Sequence, residues 1–232
     1  MTVQENISSL SIGMVLFPNL TQLDFTGPYE IFAKLPNTRL HLLAENLEPI
    51  RSERGLSFLP DTTFAECPPL DMLFVPGGSG VNSKMEDKNF LNFLKTQGEK
   101  ASYVTSVCTG SLLLAAANLL QGYRATTHWQ YLDLLQMFGV ETVQQRIVID
   151  RNRVTGAGVT SGIDFALVIA AEFFGDKIAQ EIQLGMEYNP QPPFQSGSLQ
   201  TAPADIIASV TAATQNRYEI RRQIIQRLLS QN

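Results

Sequence analysis

Short apolar runs alternating with stretches of helical periodicity constrain this chain more than any other feature. Residues 12–17, Ile-Gly-Met-Val-Leu-Phe, form a continuous apolar run that ends at Pro18, the pattern of a strand buried on both faces. Met72-Leu73-Phe74-Val75 repeats it and stops at Pro76-Gly77-Gly78-Ser79-Gly80. Residues 39–44 and 103–107 read as further strands, 146–149 as strand material, and 51–64 as a hairpin turning near Gly55. Between them fall predicted helices over 82–97, 109–120, 128–138, 161–174 and 176–187. Another starts at Gly27 and admits Pro28 in its first turn. Residues 188–203 hold Pro190, Pro192, Pro193 and Pro203 and read as an ordered arm, followed by a helix over 204–229. Such alternation implies an α/β fold: a doubly wound, mostly parallel sheet with helices on both faces. With no repeat, low-complexity tract or linker, residues 1–232 are expected to form one domain, its C-terminal arm and helix occupying about 188–232.

The 232 residues are 44% hydrophobic and 17% charged. A chain of this length buries roughly 70–75% of its unfolded surface, so a full core needs no staples. Two cysteines, Cys67 and Cys108, exclude a disulfide scaffold. The longest apolar run, 112–120, is interrupted by Asn118 and falls well short of the roughly 18 residues of a membrane span. Residues 1–10 are polar and contain Glu5, unlike a secretory signal. A net charge of −5 argues against nucleic acid as a partner. The expectation is a cytoplasmic protein that uses cysteine sparingly.

In a doubly wound sheet, reactive groups gather where strands turn into helices at their carboxyl ends. Three glycine-bearing junctions qualify: 76–80, 108–111 and 156–162. The middle one, Ser106-Val107-Cys108-Thr109-Gly110, sets a nucleophile-type residue between small neighbours, an apolar strand and an apolar helix, as in a nucleophile elbow. A turn that sharp costs on the order of 1–3 kcal/mol of backbone strain. Beside a helix amino terminus, the thiolate is expected to be favoured. Two readings of Cys108 stand at this point: a nucleophile, or a buried structural cysteine. Cys67, in Glu66-Cys67-Pro68-Pro69, lies at no such junction and reads as inert. Two histidines, His41 and His128, with no CxxC and no HxxxH, leave no basis for a metal site.

A Cys-His-acid triad needs a histidine far downstream, and none follows His128. His128 reads as a cap at the start of its helix or as a site-lining residue; His41 reads as an ordinary strand residue. Asp24, in Gln22-Leu23-Asp24-Phe25-Thr26-Gly27-Pro28, is the best polar partner for Cys108, although the local sequence alone favours an N-cap role for it. The glycines of 156–162 are spaced GxGxxxG with no matching acid, so no dinucleotide cofactor is expected. In the C-terminal helix, Arg217, Arg221, Arg222 and Arg227 read as a solvated face. Ile220, Ile224, Ile225 and Leu228 read as a docking stripe on the core or on a partner subunit.

The strings at 22–28, Val75-Pro76-Gly77-Gly78, Thr105 to Ser111, Arg124 to Trp129 and Gly156 to Asp164 together resemble the ThiJ/PfpI superfamily, and most closely its isocyanide hydratase branch. The resemblance runs in register over about 12–188. It implies a flavodoxin-like fold, akin to class I glutamine amidotransferases, with no cofactor and a homodimer whose cysteine site lies near the interface. It implies that Cys108 is a nucleophile towards a small-molecule isocyanide and that Asp24 is the general acid/base. Gly78, Thr109 and Val159 would line the site. Protease-like members place a histidine directly after the cysteine, where Thr109 stands here, and deglycase-type members have a glutamate where this chain has Asp24. Transcription regulators of the superfamily carry an added helix-turn-helix domain, for which this chain is too short. A non-enzymatic redox sensor or chaperone-like protein, and a glyoxalase or deglycase acting on α-oxo-aldehydes, are the alternatives.

Overall fold

In the computed structural model, residues 9–230 are described; residues 1–8 and 231–232, which the expected domain and the polar start include, lie outside them. The chain runs through β1 (Leu10–Val15), α1 (Gln22–Phe32), β2 (Thr38–Ala44), β3 (Ile50–Arg51), β4 (Ser57–Phe58), β5 (Thr62–Thr63) and a 3-10 turn at Phe64–Glu66. Next come β6 (Met72–Val75), α2 (Val81–Met85), α3 (Lys88–Gly98), β7 (Tyr103–Val107), α4 (Gly110–Ala116) and β8 (Arg124–Ala125). A second 3-10 turn (Trp129–Tyr131) leads into α5 (Leu132–Gln136), β9 (Glu141–Thr142), β10 (Ile147–Asp150) and β11 (Arg153–Gly156). Three helices finish the chain: α6 (Ser161–Phe174), α7 (Asp176–Gly185) and α8 (Ala204–Ser230).

Seven strands form the main sheet in the order β10-β11-β7-β6-β1-β2-β5. Every pairing in it is parallel except β10 with β11. This is the doubly wound, flavodoxin-like topology expected from the alternation, and strand order reverses between β1 and β6. Parallel strands covered on both faces should be apolar throughout. Accordingly, Ile12, Met14, Val15, Met72, Leu73, Phe74, Val75 and Val104 are fully buried. Helices α1 and α6 pack together, while α2, α3 and α4 form a separate packed group.

Several boundaries differ from the sequence expectation for identifiable reasons. Helix α1 begins at Gln22, so Asp24 lies inside its first turn rather than capping it, and Pro28 falls in the second turn. The helix expected over 82–97 is two: the Asp87 side chain accepts a hydrogen bond from Phe90 N at 3.1 Å and starts α3 afresh. Helix α4 ends at Ala116 because Asn118 takes a left-handed backbone at φ 62°. The expected hairpin near Gly55 is β3–β4.

Candidate active site

Strands β1, β6 and β7 deliver three chain segments to one edge of the sheet beside the reversal point. The register Val75↔Ser106 aligns the ends of β6 and β7, and Gly156↔Val107 aligns β11 with them. Beyond these ends lie Asp24 on α1, Gly77 and Gly78 after β6, and Cys108 after β7.

Cys108 has φ 55°, a left-handed backbone that a β-carbon disfavours. Three sets of contacts hold it there. Its N–H donates to Gly156 O at 3.0 Å and to Ala157 O at 2.8 Å. Its carbonyl accepts from Thr127 Oγ1 at 2.9 Å and from Ser111 Oγ at 3.2 Å. At Gly110 the chain passes so close to β6 that a β-carbon would come within 2.8 Å of Pro76 O and fall on the Val75 carbonyl. A strained nucleophile-type residue fixed from several sides is the elbow that the sequence motif anticipated.

Asp24 is fully buried. Its Oδ2 accepts a hydrogen bond from Gly77 N at 3.0 Å, and its Oδ1 has no partner of normal geometry. Burial pushes its pKa up to about 7, partly offset by the Gly77 bond and by its contact with Cys108, with a smaller upward push from Glu53. The Cys108 thiol is pushed well above its ordinary range, first by burial and then by the Asp24 charge. The sequence expectation of a helix-favoured thiolate is therefore opposed by burial, since α4 offers only seven residues and the sulfur is almost wholly enclosed. Two acids that each resist ionisation next to one another share at most one negative charge near neutral pH.

Thr109 Oγ1 accepts from Gly78 N at 3.1 Å, tying the β6 and β7 turns together. Gly78 has φ 139°, and a β-carbon there would sit 2.5 Å from Asn19 O. Val159 is half-buried on the loop before α6 and lines a cavity of about 390 Å³. The cavity abuts the elbow: Thr127 and Ala157, both bonded to the Cys108 backbone, belong to its wall, with His128, Trp129 and Leu199. All five residues singled out in the sequence thus gather at or beside one sheet edge.

His128 both caps and lines. Its Nδ1 accepts from Gln130 N at 3.4 Å, and burial lowers its pKa to about 4, so it is neutral at ordinary pH. Cys67 lies apart; burial raises its thiol to about 11. Among the described residues, no group of three or more His, Cys, Asp or Glu is placed to hold a metal ion, and no helix is long and apolar enough to cross a membrane.

Arg221, expected from its sequence on a solvated face, is instead 1% exposed and belongs to the site. Its Nε donates to Asn82 Oδ1 at 2.7 Å and its Nη2 to Gly78 O at 3.2 Å, and the guanidinium lies 4.4 Å from the Tyr131 ring centroid. These partners are up to 143 positions away in the chain, so no local pattern could have announced them.

A model of the DJ-1/PfpI family matches residues 10–172. The chain is 50% identical over 219 residues to the isonitrile hydratase of Pseudomonas putida, covering 94% of this chain and 96% of that protein. It is 30% identical to the HTH-type transcriptional regulator GbdR of Pseudomonas aeruginosa across 77% of this chain, but spans only 50% of that regulator. Among solved structures, a ThiJ/PfpI family protein from Pseudomonas syringae superposes with a TM-score of 0.92 at 39% identity, covering 97% of this chain and 96% of that one. Drosophila melanogaster DJ-1beta, at 22% identity and a TM-score of 0.70, shares the fold.

Proposed function

The chain belongs to the DJ-1/PfpI family, and from that premise we propose that it is an isocyanide (isonitrile) hydratase, a lyase converting R–N≡C and water to an N-substituted formamide. One coincidence carries the reading. Identity of 50% along nearly the whole of a protein named isonitrile hydratase is joined to a strained cysteine beside a buried, proton-holding carboxyl.

The chemistry needs that pair. The Cys108 thiolate attacks the isocyanide carbon, forming a C–S bond and leaving a carbanion-like lone pair on that carbon. The Asp24 carboxyl, neutral up to about pH 7, delivers its proton there and yields a thioimidate, R–N=CH–S–Cys. The resulting carboxylate takes a proton from water as hydroxide adds to the same carbon, and then passes that proton to nitrogen. Collapse of the tetrahedral adduct expels the thiolate as the adduct hydroxyl returns its proton to Asp24. Water is the only co-reactant, so no cofactor is required. Gly78 and Thr109 hold the floor of the site, and Val159 and its neighbours enclose the substituent R in the cavity of about 390 Å³.

The same reading takes the protein to be a single-domain cytoplasmic homodimer. Both cysteines are free, and Leu184, Phe194, Ile206 and Val210 expose apolar surface that a second subunit could cover. The test is turnover of para-nitrophenyl isocyanide and of methylglyoxal by the same preparation, followed by absorbance. Formamide from the first and no loss of the second is expected. Methylglyoxal consumption alone would favour a glyoxalase, and inactivity on both, with a function lost in Cys108→Ala, a redox sensor.

A further inference from the structure

The reaction requires one negative charge at the elbow, and it must reside on sulfur. Asp24 competes for that charge, and the fold places a cation where it can decide between them. Arg221 is carried by α8, over a hundred residues beyond the elbow, yet reaches the floor of the site. Among the described residues no carboxylate oxygen lies within 4.0 Å of its guanidinium; it is held by neutral partners alone, the Asn82 amide oxygen, the Gly78 carbonyl and the Tyr131 face. An arginine stays charged in such surroundings, and a buried charge without a counter-ion is costly. Gly78 connects it to the reactive turn, because the residue whose carbonyl accepts from Arg221 also donates its N–H to Thr109, next in sequence to Cys108.

We propose that Arg221 is the positioning residue that draws the site's single negative charge towards Cys108 and away from Asp24, the thiolate acting as a counter-ion to the buried guanidinium. The proposal rests on the hydratase reading only for the use made of the thiolate. Against the burial and the Asp24 charge that oppose ionisation of Cys108, the guanidinium favours it and is favoured by it in return, whereas Glu53 discourages ionisation of Asp24 and also supports the charge on Arg221. The charged and titratable groups around the pair are then Asp24 from α1, Glu53 from the β3–β4 turn, and Arg217 and Arg221 from α8. Tyr131 and the neutral His128 complete the set. Glu53 is itself anchored by Thr21 Oγ1 at 2.9 Å and Ser79 N at 3.3 Å.

The test reads the thiol directly and does not depend on isocyanide turnover. Alkylation of Cys108 by iodoacetamide is followed by peptide mass spectrometry from about pH 5 to about pH 10. Replacement of the charge, in Arg221→Gln and Arg221→Met, is expected to raise the pH midpoint by about one unit or more and to slow alkylation at neutral pH about tenfold. Arg221→Lys, which keeps a charge, should stay near the wild-type midpoint. Asn82→Ala, which keeps the guanidinium but frees it, should give a smaller upward shift. Unchanged midpoints in folded Gln and Met variants overturn the proposal, as does a Lys variant displaced as far as they are. Should both neutral variants fail to fold, an unchanged midpoint in Asn82→Ala overturns it instead. Failure of the hydratase reading would leave these profiles untouched.

Discussion

At the scale of single residues, the site is a competition between burial and reactivity. Asp24 is wholly enclosed, so its neutral form is favoured up to about pH 7, far above the ordinary value of 3.8. The folded protein therefore holds a proton that the unfolded chain has released over that interval. Stability contributed by this proton is complete below about pH 3.8 and is lost as pH rises through about 7. The shift corresponds to on the order of 4 kcal/mol. Asp24→Asn keeps an acceptor for Gly77 N but carries no titratable charge. It is expected to melt at a higher temperature than the wild type at about pH 8 while losing nearly all hydratase activity. A variant that is less stable and fully active would return Asp24 to a purely structural role. Because turnover needs one thiolate and one carboxyl proton in the same pair, activity of the wild type should rise as the pair gives up its first proton near pH 7 and fall again at higher pH, once the second is lost.

Elements carry the next level of control, because the elbow is shaped by what β6, β7 and α4 allow. Gly110→Ala would drive a β-carbon into the Val75 and Pro76 carbonyls, which are backbone and cannot step aside. Overpacking of this sort costs at least about 1–3 kcal/mol, and here it should also relax the φ of Cys108. The expected outcome is a melting temperature several degrees lower and turnover reduced at least tenfold, measured by thermal unfolding and isocyanide assay; wild-type values for both would contradict the packing account. The elements that matter most were also the most legible. The runs at β6 and β7 match their sequence boundaries because β6 is apolar end to end and stops at Pro76, while β7, with Thr105 and Ser106 buried among its apolar residues, stops at the turn itself. The start of α1 was illegible, since Thr21 caps it without a side-chain bond and Asp24 resembled a cap better than Thr21 did. Helix α8 was legible in one stripe only. Ile224 and Ile225 are buried as their spacing suggests, but Arg221 lies buried among them because its partners come from α2, the β6 turn and the 3-10 turn at Trp129–Tyr131.

For the whole molecule, the sheet order explains why residues so far apart in sequence meet. Strand order reverses between β1 and β6, and the segments leaving β1, β6 and β7 converge at the resulting crevice. The small neighbours of Cys108 mark it as a candidate, whereas its partnership with Asp24 rests on this topology, 84 positions of chain being brought together by two parallel pairings, β1 with β6 and β6 with β7. Exposed Leu184 and Phe194, at 81% and 77%, lie on α7 and the Pro-rich arm, and light scattering should return about twice the chain mass of 25.7 kDa. A mass of one chain at micromolar concentration would refute the dimer. The most direct test of the central claim is rapid-quench mass spectrometry during turnover of para-nitrophenyl isocyanide. The account predicts a covalent adduct of the substrate on the peptide containing Cys108, absent in Cys108→Ala along with all formamide. Formamide produced at the wild-type rate by Cys108→Ala, or an adduct found on Cys67 instead, would contradict it.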